Sequence, residues 1–111
     1  MLDRYYLRYK NVEEPVGILE INIEEDLFSF TKNDKYTGNL PAFLFYKTDI
    51  PMNENIKMWV MDRAPEPHYE FIDTLIEKAG LKEYDVYGFF KYNKGVFIYD
   101  RFYVEEILEG G

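Results

Sequence analysis

Two groups of residues in this sequence combine side chains that could do chemistry. In the first, Trp59 is followed closely by Asp62 and Arg63 and then, across Pro65 and Pro67, by His68 and Tyr69. A guanidinium beside an indole makes a charge-and-aromatic anchor, and a neighbouring carboxylate can hold its planar fork in one orientation. The same residues also have a purely structural role open to them, in which Asp62 and Arg63 fasten the connection between two helices while Trp59 enters the core. The apolar stripe that carries Trp59 favours that second role. The other group is Phe97-Ile98-Tyr99-Asp100-Arg101-Phe102-Tyr103-Val104. Asp100 can accept hydrogen bonds from turn amides or pair with Arg63 or Arg101. Service as a catalytic base would require a protected cleft and an aligned proton donor, so the turn role is the favoured one.

Other chemistry finds few footholds. His68 is the only histidine, Ser29 the only serine, and there is no cysteine, which excludes a disulfide framework, a thiolate metal site and a cysteine nucleophile. Glu24-Glu25-Asp26 and Glu105-Glu106 lack the ligand spacing of a calcium loop. Gly88, Gly95, Gly110 and Gly111 do not form a phosphate-cradling run. No catalytic, cofactor-binding or metal-ligating residue is assigned, and no cofactor is expected.

The elements that must position these residues divide the chain into a strand-rich half and a helical half. Tyr5-Tyr6-Leu7-Arg8-Tyr9, residues 16–23 and residues 27–30 read as a meander; Ile21 and Ile23 share one face of the second run while Glu20 and Asn22 take the other. Leu40-Pro41-Ala42-Phe43-Leu44-Phe45-Tyr46 reads as a docked loop followed by a short strand, because Pro41 lacks a ladder donor. Asn53 is placed to cap a helix running through Arg63, with Ile56, Trp59 and Val60 on its apolar stripe. Pro65 and Pro67 stop that helix. Pro67 then suits a first helical turn, Tyr69, Ile72, Leu75, Ile76 and Ala79 share a face, and Gly80 supplies the stop. Asp85 caps a short helix over 86–91, with Tyr84 stapled to Phe89. Residues 96–99 and 102–105 form a terminal hairpin about Asp100-Arg101. The expectation is one compact α+β domain over residues 1–111: a strand-rich N-terminal half, two or three central helices and a C-terminal β-hairpin, with 106–111 frayed.

Composition narrows the function classes. The 111 residues carry 13 Lys and Arg against 21 Asp and Glu, a net charge of −8 that disfavours direct binding to a phosphate backbone and suits docking on a basic protein surface. Eleven Tyr, nine Phe and one Trp supply large groups for a small core and rigid anchors for an interface. The same aromatic stripe can pack a monomer core or seal a homodimer. No apolar run is long enough for a membrane span or a signal peptide, so a cytoplasmic location is expected.

Leu40-Pro41, Trp59, Asp62-Arg63, Pro67, Gly80-Leu81, Gly95, Asp100 and Phe102-Tyr103 together follow an order and spacing that resembles a group of small accessory domains of Firmicutes and their phages. Such domains occur alone or ahead of kinase domains related to the HipA toxin kinase. The resemblance covers residues 5–104. It implies a strand pair opening the chain, a Trp-x-x-Asp-Arg segment before a proline-led helix, and a Gly followed by an apolar strand, Asp and an aromatic pair. One departure stands out: the family-like pattern has a single proline and then an arginine after Asp-Arg, where this chain has Pro65, Pro67, His68 and Tyr69. With no kinase catalytic domain following in the sequence, the resemblance implies an accessory or regulatory module.

The leading expectation is therefore a non-enzymatic protein-interaction or regulatory module, linked to a HipA-like kinase toxin or a phage or bacterial defence system. Its candidate interaction residues are Trp59, Asp62, Arg63, His68, Tyr69, Asp100 and Tyr103, with the partner contributing Lys or Arg. Two alternatives stand beside it. One is an acidic inhibitor that mimics nucleic acid; the other is a small-molecule sensor or enzyme with a pocket near Asp62, His68 or Asp100.

Overall fold

The computed structural model describes residues 1–46 and 49–108. Three strands open the chain, β1 (Asp3–Tyr9), β2 (Gly17–Asn22) and β3 (Leu27–Lys32), followed by a 3₁₀ helix (Ala42–Phe45), helices α1 (Met52–Met61), α2 (Ile72–Lys78) and α3 (Val86–Tyr92), and a last strand β4 (Phe102–Glu106). The strands form one antiparallel sheet in the order β3-β2-β1-β4. Alternation along each strand decides which side is covered. Tyr5, Leu7, Leu19, Ile21, Phe28 and Val104 are buried on the face that meets the helices. The opposite face carries cross-strand ion pairs, Arg4 with Glu20 and Arg8 with Glu105, each at 3.1 Å, as an antiparallel sheet with one solvated side allows.

Several local features depart from the sequence expectations, each for a traceable reason. β3 runs to Lys32 because the ladder continues beyond Phe30, with the Asn33 amide donating to the Val16 carbonyl at 2.9 Å. Ile23 leaves the face it was expected to share with Ile21, since it opens the turn in which Asp26 takes a left-handed φ of 56°. Instead of a short strand, residues after Pro41 wind into the 3₁₀ helix, closed by the Leu44 amide on the Pro41 carbonyl. That turn delivers Phe43 into the core, edge-on to Phe30 at 5.1 Å and to Trp59 at 5.4 Å.

Asn53 does not cap α1. The helix starts at Met52 behind Pro51, and the Asn53 side chain reaches sideways to accept the Phe28 amide of β3 at 2.6 Å. The proline-led helix is shorter than its apolar pattern suggests. Tyr69 and Ile72 amides close separate turns on the Glu66 and Tyr69 carbonyls, so regular helix begins only at Ile72 and none of its residues is fully buried. Its end does follow the expected rule: Gly80 adopts φ 71°, its amide bonds the Glu77 carbonyl, and the Leu81 amide bonds that of Ile76. Tyr84 and Phe89 lie 5.7 Å apart across the start of α3, the expected staple, although the Asp85 side chain makes no capping bond.

The expected C-terminal hairpin is a single strand. β4 pairs with β1, Leu7 opposite Val104, and residues 96–99 stand off the sheet as an irregular loop. Pairing persists to the Ile107 amide, which donates to Arg4. Of the tail expected to fray, residues 109–111 lie outside the described residues.

Candidate functional site

Arg63 lies just past α1, where the chain turns toward Pro65, and is only 5% exposed. Its guanidinium lies over the Trp59 ring at 4.0 Å and makes four hydrogen bonds. Nε donates to the Gly95 carbonyl at 2.6 Å, Nη1 to Asp100 Oδ2 at 2.8 Å, and Nη2 to Asp100 Oδ1 at 2.6 Å and the Phe102 carbonyl at 2.9 Å. A buried cation survives desolvation only when paired and bonded in this manner. The planar fork suits a bidentate carboxylate where an ammonium would not.

These bonds also finish the sheet. Along β4, the amides and carbonyls of residues 103 and 105 face β1, so those of Phe102, Val104 and Glu106 face outward. Asp100 Oδ1 accepts the Phe102 amide at 3.0 Å, Arg63 donates to the Phe102 carbonyl, and the Lys94 carbonyl accepts the Val104 amide at 2.8 Å. Arg63 and Asp100 thus occupy part of the place a fifth strand would take. Asn53 does the same at the opposite margin, on Phe28 of β3. Asn53 on α1 at one margin, and Arg63 just past that helix with Asp100 and Lys94 at the other, thus block both edges of the sheet, the usual sites of unwanted strand pairing.

With Gly95 tied to Arg63 at φ 67° and Asp100 tied to it at the other end, the intervening residues must bow outward. Phe97 folds back within 5.3 Å of the guanidinium and packs edge-on against Tyr99 at 5.1 Å. Ile98 and Tyr99 project into solvent, 85% and 79% exposed. Beside them runs an open groove of about 610 Å³, walled by this loop, Tyr69 and Leu75, with Asp62 and Glu66 at its margin.

The expected site residues are therefore distributed over three environments. Trp59, Arg63 and Asp100 form one cluster, but Trp59 and Arg63 are buried, and the guanidinium is oriented by Asp100 and not by its neighbour Asp62. Asp62 and Tyr69 border the groove, which Arg63 also lines, and Tyr69 stacks edge-on with exposed Phe71 at 5.8 Å. His68 stands on the exposed turn after Pro67 and is not among the groove-lining residues. Tyr103 is opposite Arg8 on the solvated side of the sheet, one residue out of phase with Phe102 and so turned away from the Arg63 cluster. A single surface built on Trp59, Arg63, Tyr69 and Tyr103 does not exist. The large exposed apolar residues beside the groove that the sequence reading did not single out are Ile98 and Tyr99. Their signal was a run of four large apolar residues, Val96-Phe97-Ile98-Tyr99, without the alternation that a half-buried strand requires.

A second polar cluster had no sequence expectation attached. The Tyr5 and Tyr87 hydroxyl oxygens are 2.7 Å apart, and Tyr87 donates onward to Asp3 Oδ2 at 2.6 Å, which leaves Tyr5 the donor in the first bond. Burial pushes the Tyr5 hydroxyl up to about 12, and burial together with the Asp3 hydrogen bond pushes Tyr87 higher still. The spacing of Asp3 and Tyr5, two apart on β1 and hence on one face, is the trace this chain leaves in the sequence.

Among the described residues, no group of three or more His, Asp or Glu could hold a metal ion, and no helix is long and apolar enough to cross a membrane. No protein-family model matches this chain, and no curated protein or solved structure matches it.

Proposed function

We propose that this chain is a non-enzymatic protein-interaction module whose docking element is the loop carrying Ile98 and Tyr99. One observation carries the reading: two adjacent large apolar side chains are about four-fifths exposed on a loop pinned at both ends by Arg63. Exposed apolar patches of this kind cost solubility and mark contact surfaces, and a loop already held in place loses little entropy on binding. The partner is a protein with a basic rim, because Asp62 and Glu66 border the groove and the chain carries a net charge of −8. Trp59 and Asp100 position the loop from outside the groove, and Arg63, which also lines it, has its guanidinium committed to Asp100, Gly95 and Phe102. The resemblance to accessory domains of HipA-like kinases makes such a kinase the first partner to test.

A photo-crosslinking residue at position 98, with a control at Glu20 on the solvated side of the sheet, tests this in cells of the native host. The expected result is a protein captured from position 98 only, whose purified form binds the native chain and binds Ile98→Asp at least about tenfold more weakly. Because Ile98 is exposed, thermal stability should barely move. Equal capture from both positions, or unchanged affinity in Ile98→Asp, overturns the proposal.

A further inference from the structure

Asp62 occupies an unusual place for a carboxylate. It is the residue at which α1 ends, where the helix dipole is negative and an acidic side chain is unfavourable. Among the described residues no cation pairs with it, and its neighbour Arg63 is committed to Asp100. It also borders two apolar depressions at once. One is the groove beside Ile98 and Tyr99; the other, about 430 Å³, is lined by Phe45, Tyr46, Ile50 and Met58. Phe45 is 71% exposed there.

A partner that covered both depressions would strip water from the Asp62 carboxylate. Leaving it unpaired between two apolar surfaces would cost more than the flanking contacts return, so the partner must bring a positively charged donor to that point. A second copy docked face to face through the same surface fails the requirement, since it would bring its own Asp62 and Glu66 to that point. We infer that the surface takes a peptide segment of a partner protein in which one Lys or Arg lies between two large apolar side chains, the cation meeting Asp62 and the apolar groups entering the two depressions. This inference rests on the docking role proposed above and adds the partner's chemistry to it.

Displayed random peptides selected on the native chain and counter-selected on Ile98→Asp provide the test. The expected outcome is a consensus with Lys or Arg flanked by large apolar residues on both sides. A synthetic consensus peptide should then bind Asp62→Asn at least about tenfold more weakly, and Asp62→Lys should prefer the same peptide with Glu in place of the cation. Both variants should melt slightly higher than the native chain, because the unfavourable charge at the end of α1 is gone. That combination, tighter folding with weaker binding, is not what a structural role for Asp62 produces. Peptides that need Ile98 but show no enriched cation, or that bind Asp62→Asn as well as the native chain, overturn this inference and leave the docking role standing. Failure to recover any peptide that depends on Ile98 overturns both.

Discussion

Arg63 and Tyr87 each carry polar atoms from the helical layer into the core, and they are satisfied on different terms. Arg63 brings a permanent charge, which Asp100 neutralises, and its remaining bonds go to the backbone carbonyls of Gly95 and Phe102. Tyr87 brings a neutral hydroxyl that joins Tyr5 to Asp3. The first network holds a segment that has no regular ladder of its own. The second ties α3 to β1, elements already joined by Tyr5 packing edge-on against Phe90 with ring centroids 6.0 Å apart. A charged cluster placed where the backbone is irregular is therefore a determinant of shape, whereas a hydroxyl chain between regular elements is a reinforcement.

The contrast predicts a graded series. Asp100→Ala strands a buried guanidinium and should cost about 3 to 5 kcal/mol in chemical denaturation, with hydrogen-exchange protection lost first at the Phe102 and Val104 amides. Replacing both partners, as Arg63→Met with Asp100→Leu, should restore much of that stability without restoring the loop, so docking through Ile98 stays lost. A double variant that binds like the native chain would dissolve the distinction between shape and reinforcement. Tyr87→Phe comes next, at about 1 to 2 kcal/mol, because it removes both hydroxyl bonds yet preserves the ring packing.

The hydroxyl chain also has a pH signature. Folded Tyr5 holds its proton up to about 12, whereas the unfolded residue releases it near 10. Its contribution to stability is complete below pH 10 and is lost as pH rises from 10 toward 12, since the unfolded chain there binds fewer protons. Denaturation midpoints should decline through that window in the native chain and decline less in Tyr5→Phe; parallel slopes would contradict the assignment. The smallest effect belongs to the solvated face of the sheet. Arg8→Ala should cost less than about 1 kcal/mol, a difference that high salt should shrink further.

Periodicity made the regular parts of this fold legible. Tyr5 and Leu7 inward with Arg4 and Arg8 outward is readable from alternation alone, as are the stop at Gly80 and the staple of Tyr84 on Phe89. Local rules failed where a distant group outbid them. Asn53 has the right chemistry for a cap, but the Phe28 amide takes its side chain instead. Residues 96–99 have high strand propensity, and Arg63, more than thirty positions earlier, pulls both ends of that segment off the sheet. Asp100 was open to a turn role or to pairing with Arg63; it does both, since one carboxylate oxygen accepts the Phe102 amide while the pair grips the guanidinium. Spacing along a chain cannot disclose which remote side chain will arrive.

The reach from Asn53, on α1 and bonded to β3, to Arg63, just past that helix and bonded to β4, makes the segment a gauge for the sheet. Ten residues of helix rise ~15 Å, and three inter-strand gaps span ~14 Å. A strand added to the sheet would leave the helix short of one margin. A residue inserted within α1 would turn its two ends relative to each other by ~100°, so that only one could still find its strand. Drift in the length of this helix is thus barred by the geometry of a sheet that the segment contacts at both borders.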